Sequence, residues 1–422
     1  MKPRDTQPQA ADAAASGPSR RRFLAAGAAA GAGAFAAGAT GVSLDRAGAF
    51  RGSPTPTDDA GANGQRIVPF YGEHQAGITA RPGAYASFVA LDLERGVGRE
   101  RLGAWMRLLT DDAARLTQGQ AALADVEPEL ASAPAGLTVT VGFGPGFVDR
   151  ARGEKPEWLA PLPAFTIDKL LDEWSGGDVL LIVASDEPAT VAHALRMLLK
   201  DSRAFASLRW RQDGFRRAYG SDPHGMTMRN LFGQVDGTAN FVPGTADFDA
   251  AVWARPDAPA WLQGGTSFVL RRIGMNLDTW DAVDRVGREN TIGRNLHNGA
   301  PLTGTHEHDV LDLDAVDANG LPVISSVAHA RRAHVSDPTK TIVRLGYNYD
   351  ERAPAGSEAL SRTGLLFGAW QANVTEQFVP IQRSLAEADL LNVWTTPVGS
   401  AVFAIPPGCA EGGYLGQALL EG

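Results

Sequence analysis

The stretch Asn230-Leu231-Phe232-Gly233-Gln234-Val235-Asp236-Gly237-Thr238-Ala239-Asn240 decides how the rest of the chain is read. An apolar run ends at Gly233, Asp236-Gly237 is a turn signal, and the short polar side chains of Thr238 and Asn240 follow. Taken locally, this chemistry fits a surface turn, the usual setting of Asp-Gly. It also fits a carboxylate held at the mouth of a pocket, with glycines on either side letting the backbone pass close to a flat ligand. The surrounding chain has to separate the two.

Size and composition bound the answer. A chain of 422 residues suits two or three domains, and 44% hydrophobic with 21% charged residues is the balance of a soluble globular protein. The net charge of -9 argues against nucleic-acid binding, which calls for a basic patch. A single cysteine, Cys409, excludes a disulfide framework, a cysteine-ligated zinc site and a cysteine-held iron–sulfur cluster within one chain. Following Pro406-Pro407-Gly408, it reads as a buried, inert thiol.

Residues 1–49 read as an address. Ser19-Arg20-Arg21-Arg22-Phe23-Leu24 precedes a weakly apolar Ala/Gly segment, and Ala47-Gly48-Ala49 offers a small-x-small cleavage pattern. Paired arginines before a mild apolar stretch indicate a twin-arginine signal. Ala and Gly carry too little insertion energy to favour a retained membrane anchor. Six basic and three acidic residues give this segment +3, so the remainder would carry -12. The expected partner is the twin-arginine export machinery and the expected location periplasmic or extracellular, with no stable membrane anchor after cleavage. That route carries folded proteins, which hints at a prosthetic group inserted before export. Residues 50–64 read as a flexible linker rich in Pro, Thr, Asp and Gly.

The mature chain alternates strand and helix patterns. Tyr85–Leu93 alternates like a strand, Arg99–Leu123 like a helix, Leu137–Gly144 and Asp178–Ser185 are β-branched strands, and Glu187–Leu199 is helical. Strand, helix, strand, strand, helix, strand is the order of a ferredoxin-like α+β unit. After the Asp236 motif, Gly264–Ile273 reads as a strand, Asn276–Val286 as a helix carrying Trp280, Ser361–Gln371 as a strand, and the chain from Phe378 to Asn392 as a helix. The expected fold class is therefore α+β, a tandem of two ferredoxin-like domains with antiparallel sheets over residues 65–225 and 226–422. No Walker loop or Gly-x-Gly-x-x-Gly follows a strand.

Gly233-x-x-Asp236-Gly237-Thr238-x-Asn240 resembles the signature of the dye-decolourising (DyP-type) haem peroxidases. Phe70-Tyr71-Gly72-x-His74-Gln75-Ala76-Gly77-Ile78, Val141-Gly142-Phe143-Gly144 and Gly176-Gly177-Asp178 are similar to its N-terminal half. Ala328-His329-x-Arg331 and Arg344-x-Gly346-Tyr347-x-Tyr349 resemble its proximal-histidine and distal-arginine segments, and Gly364–Phe367 and Gln377–Gln382 continue the likeness in the family's order. The resemblance covers nearly the whole mature chain and points to the exported, deferrochelatase/peroxidase-like subgroup. It departs from the family at Ala330, at His334 and Asp337, and in the acidic loop from Thr305 to Asp314.

The resemblance implies haem b, one per chain and held mainly by the C-terminal domain, with His329 as the iron ligand. It implies a peroxidase that uses hydrogen peroxide to oxidise dyes, phenols or other organic electron donors. Heterolysis of the O–O bond needs a proton shuttle and positive charge near the departing hydroxide. Asp236 is the candidate shuttle and Arg344 the candidate charge. A carboxylate base stays ionised at lower pH than a histidine, so an acidic activity optimum is expected. Asp389 is the candidate acceptor for the second imidazole N–H of His329, with Glu387 behind it. Arg331 and Asn240 are candidates for a haem propionate, Gly237 and Thr238 for the haem edge, and Leu365 and Phe367 for an apolar distal wall. His74 reads as a structural hydrogen-bonding residue, His193 as packing, and His306 with His308 as part of a solvated acidic loop. Trp370, Trp394, Tyr347, Tyr349 and Tyr414 are candidates for relaying electrons from donors too large to enter. An alternative function is haem or iron handling, with iron released from haem. The oligomeric state, homo-oligomer included, is left open.

Overall fold

The computed structural model describes residues 62–223 and 226–422; the proposed signal and most of the linker lie outside them, as does His224. Strand β1 (Tyr85–Leu93) is followed by helix α1 (Arg99–Thr117), β2 (Thr138–Phe143), the short α2 (Pro145–Ala151), β3 (Val179–Ser185), α3 (Pro188–Ser202) and β4 (Ala206–Phe215). Helix α1 buries Leu102, Trp105, Met106, Leu109, Ala113 and Leu116, a stripe at three- and four-residue spacing. It stops at Thr117 rather than Leu123 because Gly119, at φ +74°, turns the chain while its N–H bonds back to the Leu116 carbonyl.

The second half repeats the plan. Helix α4 (Ala246–Val252) leads to β5 (Thr266–Met275), the short helices α5 (Leu277–Trp280), α6 (Arg285–Ile292) and α7 (His329–Arg332), then β6 (Val343–Arg352), β7 (Ser361–Gln371), α8 (Phe378–Ala388), β8 (Thr395–Ile405) and the terminal α9 (Gln417–Glu421). The expected helix over Asn276–Val286 is two pieces. Asn276 caps the first through Thr279 N–H and Asp284 caps the second through Gly287 N–H, so each cap starts a new helix. The helix expected to reach Asn392 ends at Ala388, where Asp389 caps a 3-10 turn over Leu390–Val393.

All pairings are antiparallel, and the strand order closes into one barrel, β1-β3-β2-β8-β5-β7-β6-β4. Each half is the ferredoxin-like order: β4-β1-β3-β2 and β8-β5-β7-β6. The seams are narrow, one residue pair each, Phe143 with Ala404 and Phe215 with Asn348. Period-two alternation sorts the side chains. Phe88, Phe268, Leu366, Tyr347, Tyr349 and Trp370 fill the barrel. This corrects the electron-relay candidates: Tyr347, Tyr349 and Trp370 point inward, Tyr414 is buried with the tail against α1, and Trp394 alone of the five is partly exposed.

The halves differ in what covers their outer faces. In the first, β1 and β2 are joined through the long α1, which packs with α3. In the second, the equivalent connection from β5 to β6 runs through residues 276–342 in short helices and loops. The outward residues of β6 and β7 thus lie under an irregular cover, and the candidate site is there. Among the described residues no helix is long and apolar enough to cross a membrane.

Candidate active site

The Asp236 motif folds as a tight hairpin. Arg229 bridges Val235, the Asp236 N–H donates to the Met228 carbonyl at 2.8 Å, and Asn230 N–H donates to the Gln234 carbonyl at 3.0 Å. Gly237 sits at φ +130°, closed to a side chain without strain, and sends the chain on to Asn240, whose N–H returns to the Gly237 carbonyl. The carboxylate is fixed from both sides. Its Oδ1 accepts from Arg344 Nη1 at 3.2 Å and its Oδ2 from Asn230 Nδ2 at 3.3 Å. Both charges are largely withdrawn from solvent, with side-chain exposures of 16% for Asp236 and 25% for Arg344.

Arg344 is aimed by its strand and by one side chain. It lies on β6 with Gly346 and Asn348 on the same face, beside Ala369, Phe367 and Leu365 of β7. The Asn240 amide reads its main chain as a β partner would: Arg344 N–H donates to Oδ1 at 2.9 Å, and Nδ2 donates to the Arg344 carbonyl at 2.7 Å. Asn240 thus engages the Arg344 backbone, where a propionate contact was expected.

His329 opens α7 and is held from two directions. Arg332 donates to the Ser384 carbonyl while Ser384 Oγ returns a bond to the Arg332 carbonyl, and Leu390 N–H donates to the Val327 carbonyl. These ties bring Asp389, 3% exposed, against the imidazole, and His329 Nδ1–H donates to Asp389 Oδ2 at 2.6 Å. A carboxylate only accepts, so Nδ1 carries the proton and Nε2 is the free nitrogen. Burial by itself would depress the imidazole pKa, but the charge and hydrogen bond of Asp389 overcome it and hold the group above its ordinary value. More weakly, the charge of Arg344 lowers the imidazole pKa and that of Asp236 raises it. The second candidate acceptor, Glu387, instead pairs with Arg332 at 3.1 Å.

The floor between them is the outer face of β6 and β7. Leu365 is buried and Phe367 partly so, and the place a Gly346 side chain would take is filled by its neighbours, with Met228 Sδ at 3.4 Å and Leu365 Cδ1 at 3.6 Å. Further cations ring the site. Arg294 donates to the Gly299 and Glu307 carbonyls at 2.8 and 2.9 Å; burial, and then the charge of Arg344, lower its pKa. Arg216 donates to the Gly346 carbonyl at 2.8 Å and is lowered chiefly by burial. Glu307, from the acidic loop, accepts from Thr238 Oγ1 at 2.9 Å. Arg331 donates to the Ile324 and Leu313 carbonyls and ties down the long cover loop.

The structure therefore brings Asp236, Gly237, Thr238, Asn240, His329, Arg344, Leu365 and Asp389 into one region, with Phe367 on its floor and Arg331 in its scaffold. Asn230, Arg294, Glu307 and Met228 are neighbours that sequence reasoning did not single out. His74 Nδ1–H donates to the Gly264 carbonyl at 2.7 Å and its ring stacks on Trp253, a structural hydrogen-bonding role; His193, read as packing, is buried and also bonds Asp125 at 2.8 Å. His306 and His308 are solvent-exposed, and among the described residues no group of three or more His, Cys, Asp or Glu side chains could hold a metal. Burial pushes the Cys409 thiol up to about 11.

Known proteins carry the same arrangement of sequence. Residues 75–216 match the family model for the N-terminal part of Dyp-type peroxidases and residues 227–410 that for the C-terminal part. The chain is 39% identical over 366 residues to the dye-decolorizing peroxidase of Thermobifida fusca (82% of this chain, 84% of the relative). It is 34% identical over 376 residues to a deferrochelatase of Escherichia coli (84% and 87%). Its fold superposes on the crystal structure of a DyP-type peroxidase from Cellulomonas bogoriensis with a TM-score of 0.82 at 52% identity, covering 86% of this chain and all of that one. Ferric DtpA from Streptomyces lividans gives 0.80 at 40% identity, covering 85% and 98%. With the ferredoxin-like halves, this shows that the chain belongs to the Dyp-type peroxidase family and is a haem-dependent peroxidase.

Proposed function

We propose that His329 holds the haem iron through Nε2, that Asp236 moves the peroxide proton and that Arg344 stabilises the charge that develops as the O–O bond breaks. The observation that carries this reading is the pairing of two features in one region: an imidazole whose Nδ1 is committed to Asp389, and a largely enclosed carboxylate fixed by Arg344 and Asn230. The donor set fits haem. One nitrogen is free for a metal, Leu365, Phe367 and Met228 give an apolar floor, and cations stand nearby for anionic groups. Haem, when bound, supplies the redox chemistry.

The chain's own residues do the rest. Asp389 fixes the ring orientation of His329 and raises its donor strength. Asp236 Oδ1 and Oδ2 are the atoms that accept and return the proton, and they are held in place before peroxide arrives. Arg344 keeps its remaining guanidinium nitrogens for a developing oxyanion. Leu365 excludes water from the floor.

The substrates are hydrogen peroxide and organic electron donors such as dyes and phenols. The twin-arginine motif in residues 19–24 supports export after folding, to the periplasm or beyond. The decisive experiment is an absorbance spectrum of the haem-loaded protein before and after one equivalent of peroxide. A prompt change of the haem band supports the reading, and an unchanged band refutes it. Asp236→Asn should slow that change with haem content retained, whereas His329→Ala should lose haem. Release of iron from haem, as the deferrochelatase relatives' name implies of them, would show as iron-free porphyrin after incubation.

A further inference from the structure

Six methionines occur in the chain, and one of them lies against the reaction space. Met228 is tied through its carbonyl to the Asp236 N–H, and its sulfur and methyl group lie 3.4 and 3.8 Å from where a Gly346 side chain would begin. Gly346 is two residues from Arg344 on the same strand face, and Leu365 also closes on it, 3.6 Å from the same point. The thioether is half-buried, in contact with the small cluster of Phe232, Trp280 and Leu365. Nothing in the mechanism uses it. A thioether at that place is the most readily oxidised group on the floor of a site that handles peroxide.

We propose that Met228 is a self-oxidation site whose conversion to the sulfoxide switches the peroxidase off and whose reduction by a thiol-dependent methionine sulfoxide reductase, which returns two electrons and removes the oxygen as water, switches it back on. The net forward step balances: peroxide gives one oxygen to sulfur, its O–O bond breaks as the S–O bond forms, the thioether loses two electrons, and the other oxygen leaves as water with both peroxide protons. Haem, when bound, would concentrate this two-electron chemistry at the site, so the loaded protein would favour Met228 over a more exposed methionine. The product places an accepting oxygen against Gly346, two residues along the same strand face from Arg344, whose guanidinium is otherwise aimed at Asp236. A sulfoxide oxygen competes for that donor and draws it from the carboxylate.

The sequence supplies an internal control. Met226 is 53% exposed and lies with Met228 on one peptide between Arg217 and Arg229, so both are read from the same fragment spectrum. The proposal rests on the peroxidase reading of the site. The experiment treats haem-loaded and haem-free protein with a few equivalents of peroxide, with and without an electron donor, and locates the mass gain of about 16 Da. In haem-free protein Met226 should oxidise first, following exposure. In loaded protein without donor the order should invert, with turnover lost in step with Met228 oxidation and regained on methionine sulfoxide reductase treatment. Met228→Leu, which keeps an apolar side chain of similar volume, should lose turnover more slowly than the parent. If the haem band responds to peroxide but Met226 still oxidises first, or turnover falls with Met228 intact, this proposal fails and the peroxidase reading stands. A haem band silent to peroxide overturns both.

Discussion

Replacing Asp389 by Asn tests how the second imidazole partner works. The carboxylate accepts from His329 Nδ1 at 2.6 Å and from Leu391 N–H at 2.9 Å, and at 3% exposure solvent screens little of its charge. An Asn side chain keeps the shape and an acceptor for the turn, so the fold should survive while the charge is lost. Removing such an outer partner alters metal affinity about 10- to 100-fold, or about 1.4–2.7 kcal/mol. The ferric state carries one more positive charge than the ferrous, so the lost anion destabilises the ferric state more. If the whole effect falls on the ferric form, the midpoint potential should rise by about 60–120 mV, at 59 mV per tenfold for one electron. A spectroelectrochemical titration of the haem-loaded variant reads this directly. A fully loaded Asp389→Asn protein with an unchanged potential would refute electronic tuning and leave Asp389 as a device for orienting the ring.

Asn240→Ala removes both side-chain bonds to the Arg344 main chain, at about 0.5–1.5 kcal/mol each; stopped-flow should show the peroxide reaction slowed by roughly tenfold or more with haem content near normal. Because Asp389 raises the pKa of His329 in the haem-free protein, a proton competes with iron at pH values above the ordinary histidine range, and apoprotein should take up haem less well at pH 6 than at pH 8 in a spectroscopic titration. Far from the site, burial and then the neighbouring Asp112 raise Asp201 to about 7, with Lys200 opposing them. A raised carboxyl pKa means stability fully present below about pH 4 and lost as pH rises toward 7. Asp201→Asn should therefore be the more stable protein at pH 8, by about 1–2 kcal/mol after allowance for partial exposure, as chemical denaturation would show.

Strands were the legible part of the fold. Tyr85–Leu93 and Ser361–Gln371 announce themselves by alternation and β-branched or aromatic content, and they stand as read. Helix ends were less legible, since Asn276, Asp284 and Asp389 act as caps only because the chain turns at each of them. The closure of two ferredoxin-like sheets through single-pair seams at Phe143 and Phe215 has no local signature at all.

The same division runs through the site, and it follows from what a residue type can advertise. His329, Asp236 and Arg344 are singled out by the order of motifs the chain shares with the family, and Asp389 as an acceptor in reach of such a histidine; locally Asp236 reads equally as a surface turn and Asp389 as a solvated helix residue. Asn240 and Arg331 were also found, but with other partners than expected, because an amide or a guanidinium suits a main-chain group as well as a ligand. Asn230, Arg294, Glu307 and Met228 gain meaning only from contacts between distant segments: Thr238 to Glu307, or Met228 to Gly346. The contacts made by Arg294 and Glu307 exist because the connection from β5 to β6 is the long segment 276–342 rather than a single crossover helix. In the first half the sheet's outer face is sealed by α1 and α3. In the second half that seal is broken into loops, which leave a floor for a flat ligand and supply, from the same loops, the histidine on one side and the cations around it.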